Sequence, residues 1–266
     1  MSRLPPIDTL RRSAAMPDFR AYAPHAPADA REIRLDPDES HHLVTVNRCG
    51  RGDPVVAFDG RGREWRCTCA DPARSGARLD VLDSTLAPSR PAEVTLAQAL
   101  PKGATMDEIV RQATELGAAR IVPLLTERTQ VRLDDDRAGR KEAKWRTAAI
   151  EAAKQCGNPW VPEVAPTARL DVWLPGAVRA ADLALVASLQ AGARSLREAL
   201  ADWRARHGTA PRRVLWLVGP EGDFSPAEVT TAVLAGAVPV TLGPLVLRCD
   251  TAAVAALAVL GHELRG

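Results

Sequence analysis

The sequence predicts an α/β protein of two domains, a small β-barrel or sandwich followed by a domain built on a mostly parallel sheet. Three observations predict this. The 266 residues are too many for one small domain and comfortable for two. From about residue 20 to 87, short β-prone runs are separated by turn residues. After Pro91, strand-like and helix-like runs alternate, which implies parallel strands covered on both faces.

In chain order, Met1 to about residue 17 reads as a short, proline-containing flexible extension. Residues 18–88 form the first domain. Asp59-Gly60 and Gly62 lie between Val55–Phe58 and Glu64–Cys69, which is a hairpin signature of turn residues between β-prone runs. Residues 78–82 alternate and read as another strand. Ala87-Pro88-Ser89-Arg90-Pro91 is the linker, and residues 92–266 form the second domain. Val94–Ala97 is its first strand. Thr105-Met-Asp-Glu108 reads as a capping box, followed by Met106, Ile109, Val110, Ala113 and Leu116 at helical spacing and Gly117 as the stop. The proline in Ile121-Val-Pro-Leu124 places that strand at an edge, or makes the proline its end. A helix from about 136 to 156 closes at Gly157-Asn158-Pro159. Strands follow at 183–187, 214–218 and 238–242, with helices at about 195–206 and 226–235. The last helix, about 251–264, is apolar nearly all round, so it is expected inside the domain or at a subunit contact.

Composition excludes several classes. Hydrophobic residues make up 46% and charged residues 26%, and no apolar run is long enough to span a bilayer, so a soluble protein without a membrane partner is expected. The formal net charge of +2 and the absence of a polybasic tail leave any RNA contact to a local patch. Five cysteines without framework spacing suit reduced thiols in a cytoplasm. Cys67 and Cys69 fall on one face of a strand, but no further ligands accompany them or His41-His42, so no metal is expected. Neither G-x-G-x-x-G nor G-x-x-x-x-G-K-[ST] occurs, which removes the usual dinucleotide and nucleoside-triphosphate fingerprints.

Ligands of open α/β sheets sit beyond the carboxyl ends of strands. Three loops occupy such places: Ser188-Leu189-Gln190, Gly219-Pro-Glu-Gly-Asp-Phe224 and Gly243-Pro-Leu-Val-Leu-Arg-Cys-Asp-Thr251. In the second, Gly219 and Gly222 permit close backbone approach, and Ser225-Pro226-Ala-Glu228 starts a helix. Glu221 and Asp223 would repel a phosphate and suit hydroxyls, an amine or a positive centre, as S-adenosylmethionine carries. A plain turn with solvated acids fits the spacing equally.

Gln98-Ala-Leu-Pro-Lys-Gly103, Met106–Val110, Ala113–Gly117, Pro123–Arg128, Glu151–Gly157, Leu217–Gly222 and Leu242–Arg248 together resemble the signature blocks of the ribosomal RNA small subunit methyltransferase E family. His41–Arg48, Gly52-Asp53 and Phe58-Asp59-Gly60 resemble its amino-terminal domain, and the match runs from about residue 18 to 262. The resemblance implies a PUA-like, RNA-binding β-barrel followed by a SPOUT α/β domain with a carboxyl-terminal trefoil knot. It also implies a homodimer that uses S-adenosylmethionine to methylate N3 of a uridine in 16S ribosomal RNA, free or within the small ribosomal subunit. The cofactor would lie against Ser188, Leu189, Val218, Gly219, Pro220, Glu221, Gly222, Leu242, Gly243, Leu247 and Arg248.

The chain departs from the family pattern at four places. Asp223 stands for a common Gly, Leu245 for Arg, Cys249-Asp250 for Thr-Glu, and Asn47 for the Leu before Arg48. Uridine N3 is a poor nucleophile until its proton is lost. Arg248 is the candidate cation for the resulting anion, with Glu221 or Asp250 to take the proton or orient the base. A structural ion pair between Arg248 and Asp250 is the alternative. Arg48, Lys102, Arg111 and Arg128 are the candidate RNA contacts, against solvated surface charges. Activity on another RNA, or an inactive RNA-binding protein of the same fold, remain rival readings.

Overall fold

The computed structural model describes residues 19–130, 135–190 and 192–264, so the extension expected at 1–17 lies outside the described residues. By internal contacts the chain divides into two units, Met1–Pro88 and Ser89–Gly266.

The first unit contains β1 (Phe19–Tyr22), β2 (Glu32–Arg34), α1 (Pro37–His41), a π-helical turn (His42–Val46), β3 (Pro54–Phe58), β4 (Arg63–Asp71) and β5 (Arg78–Leu86). Strand order is β1-β3-β4-β5-β2, a half-barrel with β1 and β2 as its ends. The Asp59–Gly62 turn joins β3 to β4 antiparallel as expected, with Val55 opposite Cys67. Strand alternation buries Trp65, Cys67 and Cys69 on one face, where Leu43 from the π-turn and Leu79 complete the core. The sequence reading missed α1, although its signal was present. Asp36 is the N-cap, its Oδ1 accepting from Glu39 N at 2.7 Å, and Pro37 takes the first helical position.

The second unit alternates β6 (Glu93–Ala99), α2 (Thr105–Glu115), β7 (Arg120–Leu125), α3 (Asp135–Cys156), β8 (Glu163–Val164), β9 (Ala168–Arg169), α4 (Leu170–Ala180), β10 (Leu183–Ala187), β11 (Arg194–Ser195), α5 (Leu196–His207), β12 (Arg213–Val218), α6 (Pro226–Leu234), β13 (Val238–Thr241) and α7 (Cys249–Leu264). The sheet runs β11-β13-β10-β12-β6-β7-β8, with β9 also on β7, and all its pairs are parallel. Leu96, Leu185 and Trp216 face α2, α3, α5 and α7, whereas Ala97, Val186 and Leu217 face α4 and α6. Two apolar layers therefore sandwich the sheet. Burying one Leu or Ile side chain of this kind contributes roughly 1.5–3 kcal/mol.

Two local expectations are corrected. Thr105 is not an N-cap: Gly103 at φ +64° turns the chain so that Ala104 precedes the helix, no side chain caps it, and Thr105 is already helical. Pro123 does not mark an edge or an end, because β7 pairs with β6 on one side and with β8 and β9 on the other. Ala165 N donates to Ile121 O and Leu100 N to Leu124 O. By alternation the missing Pro123 N–H faces the β8/β9 side. It falls in the gap between residues 120–121, which pair with β8, and 124–125, which pair with β9, so no ladder bond is lost. At the other end of α2, Gly117 at φ +80° lets its N–H reach Thr114 O and that of Ala118 reach Ala113 O, the double bond of a Schellman stop.

Candidate active site

Strands β13, β10 and β12 are adjacent, so the loops at their carboxyl ends converge. They enclose a cavity of about 300 Å³. Of the residues singled out from the sequence, Ser188, Leu189, Val218, Gly219, Pro220, Glu221, Leu242, Leu247 and Arg248 line it. Gly222, Gly243 and Asp250 are not among its lining residues.

The loop after β12 is held in one shape. A Cβ on Gly219 would stand 2.8 Å from Phe224 N, so no side chain fits there without moving backbone. Asp223 adopts φ +60°, its N–H donates to Pro220 O at 2.9 Å, and its Oδ1 accepts from Phe224 N at 2.8 Å. The loop then enters α6 through a capping box: Ser225 Oγ accepts from Glu228 N and Glu228 Oε2 accepts from Ser225 N. Neighbouring strand ends grip it. Gln98 Nε2 donates to Gly219 O at 3.4 Å, Lys102 N to Glu221 Oε1 at 2.8 Å, and Arg128 Nη1 to Gly222 O at 2.7 Å and Phe224 O at 3.4 Å.

The loop after β13 supplies the opposite wall. Thr241 Oγ1 donates to Gly243 O at 2.8 Å, and Gly243 takes φ +137°, a conformation suited to glycine. Leu245 and Val246 line the cavity with 75% and 76% of their surfaces exposed. Arg248 Nη2 lies 3.2 Å from Asp250 Oδ2, and the Arg248 side chain is 79% exposed. Cys249 is buried in the lining, and burial, then the charge of Glu221, pushes its thiol above the ordinary range. At neutral pH it is therefore a neutral thiol rather than a nucleophile.

The four basic candidates fall on different segments of the chain, three of them in the second unit. Arg48 is exposed at φ +61° in the first unit, just after the π-turn. Arg111 lies on α2, 3.5 Å from Glu108. Lys102 is exposed beside Glu221, and the Arg128 guanidinium engages loop carbonyls. Thr105 also lines the cavity, and sequence reasoning assigned it elsewhere because it was read as a helix cap. Among the described residues no group of three or more His, Cys, Asp or Glu could hold a metal ion, and no helix is long and apolar enough to cross a membrane.

Comparison with known proteins agrees with this architecture. An RNA methyltransferase domain model matches residues 88–261, and an RNA methyltransferase PUA domain model matches residues 35–82. The chain is 34% identical over 233 residues to the ribosomal RNA small subunit methyltransferase E of Synechocystis, covering 87% of this chain and 73% of that protein. A Legionella pneumophila methyltransferase solved with bound SAM superposes with a TM-score of 0.81 at 30% identity, covering 92% of this chain and 97% of the other. The ribosomal RNA small subunit methyltransferase E of Neisseria gonorrhoeae, bound to S-adenosyl methionine, gives 0.79 at 27% identity with the same coverage. With its PUA domain, its α/β methyltransferase domain and these relatives, the chain belongs to the ribosomal RNA small subunit methyltransferase E family.

Proposed function

We propose that the cavity binds S-adenosylmethionine and that the protein methylates N3 of a uridine in 16S ribosomal RNA. The observation that carries this reading is the convergence of three strand-end loops on one cavity whose lining includes two carboxylates, Glu221 and Asp223, and one guanidinium, Arg248. That charge balance favours a ligand with hydroxyls and an amine over a nucleoside phosphate. Val218, Leu242 and Leu247 offer apolar walls to a base, Gly219 allows close backbone approach, and about 300 Å³ lies at the lower end of ligand cavities. When bound, the cofactor supplies a methyl group already activated by its sulfonium, so the protein mainly positions and polarises.

In this reading Arg248 stabilises the uracil anion formed as the N3 proton leaves. Glu221 is the first candidate to take that proton, because it lies in the cavity wall, and Asp250 orients Arg248 through their ion pair. Arg48 in the PUA domain and Lys102 and Arg111 in the second unit contact RNA phosphates. The protein works in the cytoplasm on 16S RNA or the small subunit, as a homodimer in which a second copy covers the open face of α7. The segment after β13 passes through the preceding loops as a trefoil knot. Supporting this, residues 245–249 share the cavity with both earlier loops.

Calorimetric titration with S-adenosylmethionine tests the reading. Micromolar binding is expected, with a loss of at least tenfold in Gly219→Ala, whose Cβ would collide with Phe224 N. A folded protein that binds none overturns it. Nucleoside mapping of treated 16S RNA then checks the atom: methyl found elsewhere than uridine N3 excludes that part.

A further inference from the structure

We infer that Arg128 is a positioning residue that sets the backbone of the loop 219–224, and through it the cofactor affinity, rather than a contact to RNA. This rests on the reading that the cavity holds S-adenosylmethionine. Arg128 follows β7, on the far side of β6 from the loop's own strand β12. Its Nη1 donates to Gly222 O at 2.7 Å and to Phe224 O at 3.4 Å. Those two carbonyls bracket Asp223 and Phe224, so one guanidinium spanning both fixes the dihedrals between them. One of those residues needs fixing: Asp223 holds φ +60°, which an L side chain rarely adopts. The stem of Arg128 closes the same contact, since a Cβ on Gly222 would meet its Cδ at 3.5 Å and its Cβ at 3.6 Å.

The adjacent residue continues the grip, Glu127 N donating to Glu228 Oε1 at 2.8 Å, so the turn after β7 holds both the loop and the helix it feeds. Asp223, in the cavity lining, lies within the clamped stretch, and Glu221, also in the lining, precedes it by one residue. The loop holds the guanidinium through Nη1, and a phosphate that drew this nitrogen away would take it from these carbonyls. The carbonyls would then be left to water, and the turn would be free to relax at Asp223.

The test compares wild type, Arg128→Ala and Arg128→Lys in the full chain. Cofactor Kd is measured by calorimetry, cofactor KM and kcat on ribosomal RNA, and RNA affinity across a salt series. Arg128→Ala is expected to raise Kd and KM for S-adenosylmethionine about tenfold. The kcat at saturating cofactor should stay within about threefold, and the salt slope of RNA binding should not change. Arg128→Lys keeps the charge and gives up the planar fork, so it recovers part of the loss. Unchanged cofactor affinity in Arg128→Ala overturns the inference. So does a salt slope reduced by about one with cofactor binding intact, the signature of a lost phosphate contact. Failure of the wild type to bind S-adenosylmethionine is a different result: it removes the proposed function, and this inference with it.

Discussion

Asp223 and Arg248 show how differently two departures or motifs of the same sequence are answered by the backbone. Asp223 stands where the family resemblance implies a glycine, and it holds the left-handed conformation glycine would, with its own carboxylate bonded to the next amide. Aspartate tolerates this region better than most residues, so the substitution preserves the turn. Arg248 is both exposed and ion-paired, which leaves its guanidinium open to a base while Asp250 limits its swing. Arg248→Ala should therefore lower single-turnover methylation about 10²–10³-fold with cofactor Kd within a few-fold of wild type. Methylation at the normal rate would remove Arg248 from the mechanism. Gly219, Glu221 and the apolar lining residues Leu189, Val218, Leu242 and Leu247 were legible because each loop follows a readable strand, whereas Gly222, Gly243 and Asp250, read as part of the same site, do not line the cavity. The Thr105 wall was not legible, because a helix start one residue earlier than its hydroxyl pattern suggests turns a cap into a lining residue.

Among the elements, the β3–β4 hairpin, strands β6, β7, β10, β12 and β13 and helices α2, α3, α5, α6 and α7 were readable from their apolar runs, periods and turn or stop signals. Helices α1 and α4 and the two-residue strands were not. Pro175 and Gly176 interrupt the apolar spacing of α4, and β8, β9 and β11 have two residues each, too few for any period. The half-barrel core has a consequence for its stability in alkali. Burial pushes the Cys67 thiol up to about 11 and Cys49 up to about 12 from an ordinary 9.0. Between pH 9 and 11–12 the folded state holds more protons than the unfolded one, so stability falls as pH rises through that window and is fully present below it. The first unit's thermal midpoint, followed by Trp65 fluorescence in a protein lacking the other tryptophans, should drop from pH 9 to 11. Cys67→Ala should flatten that slope, and an unchanged slope would assign the alkaline loss to other groups.

For the whole molecule, the sequence established two units and a parallel sheet, but not the strand order, because pairing depends on contacts between distant segments. That β13 lies outside β10 while β12 lies inside it is invisible to any period. The last helix is similar: its composition shows that it wants cover, not what provides it. In the single chain Ala253, Ala256, Leu257 and Leu260 are buried, whereas Val259 remains 42% exposed, with Ala258 open beside it. If a second copy covers that face as proposed, Val259→Glu should convert a dimer to monomer by light scattering while each chain stays folded. A wild type that elutes as a monomer at micromolar concentration would sink the dimer.

The sheet has eight strands rich in aliphatic side chains, a composition that in unfolded or partly opened chains pairs readily with copies of itself. Its two ends deny that opportunity. One ends in β11, two residues long; the other is divided into β8 and β9, of two residues each, with a prolyl nitrogen between them that has no hydrogen to give. An incoming strand would find only a pair of backbone partners before the ladder broke. The same interruption that hid this region from a reading of the sequence leaves this sheet, among the described residues, without a continuous border on which fibrils or mispaired oligomers could grow.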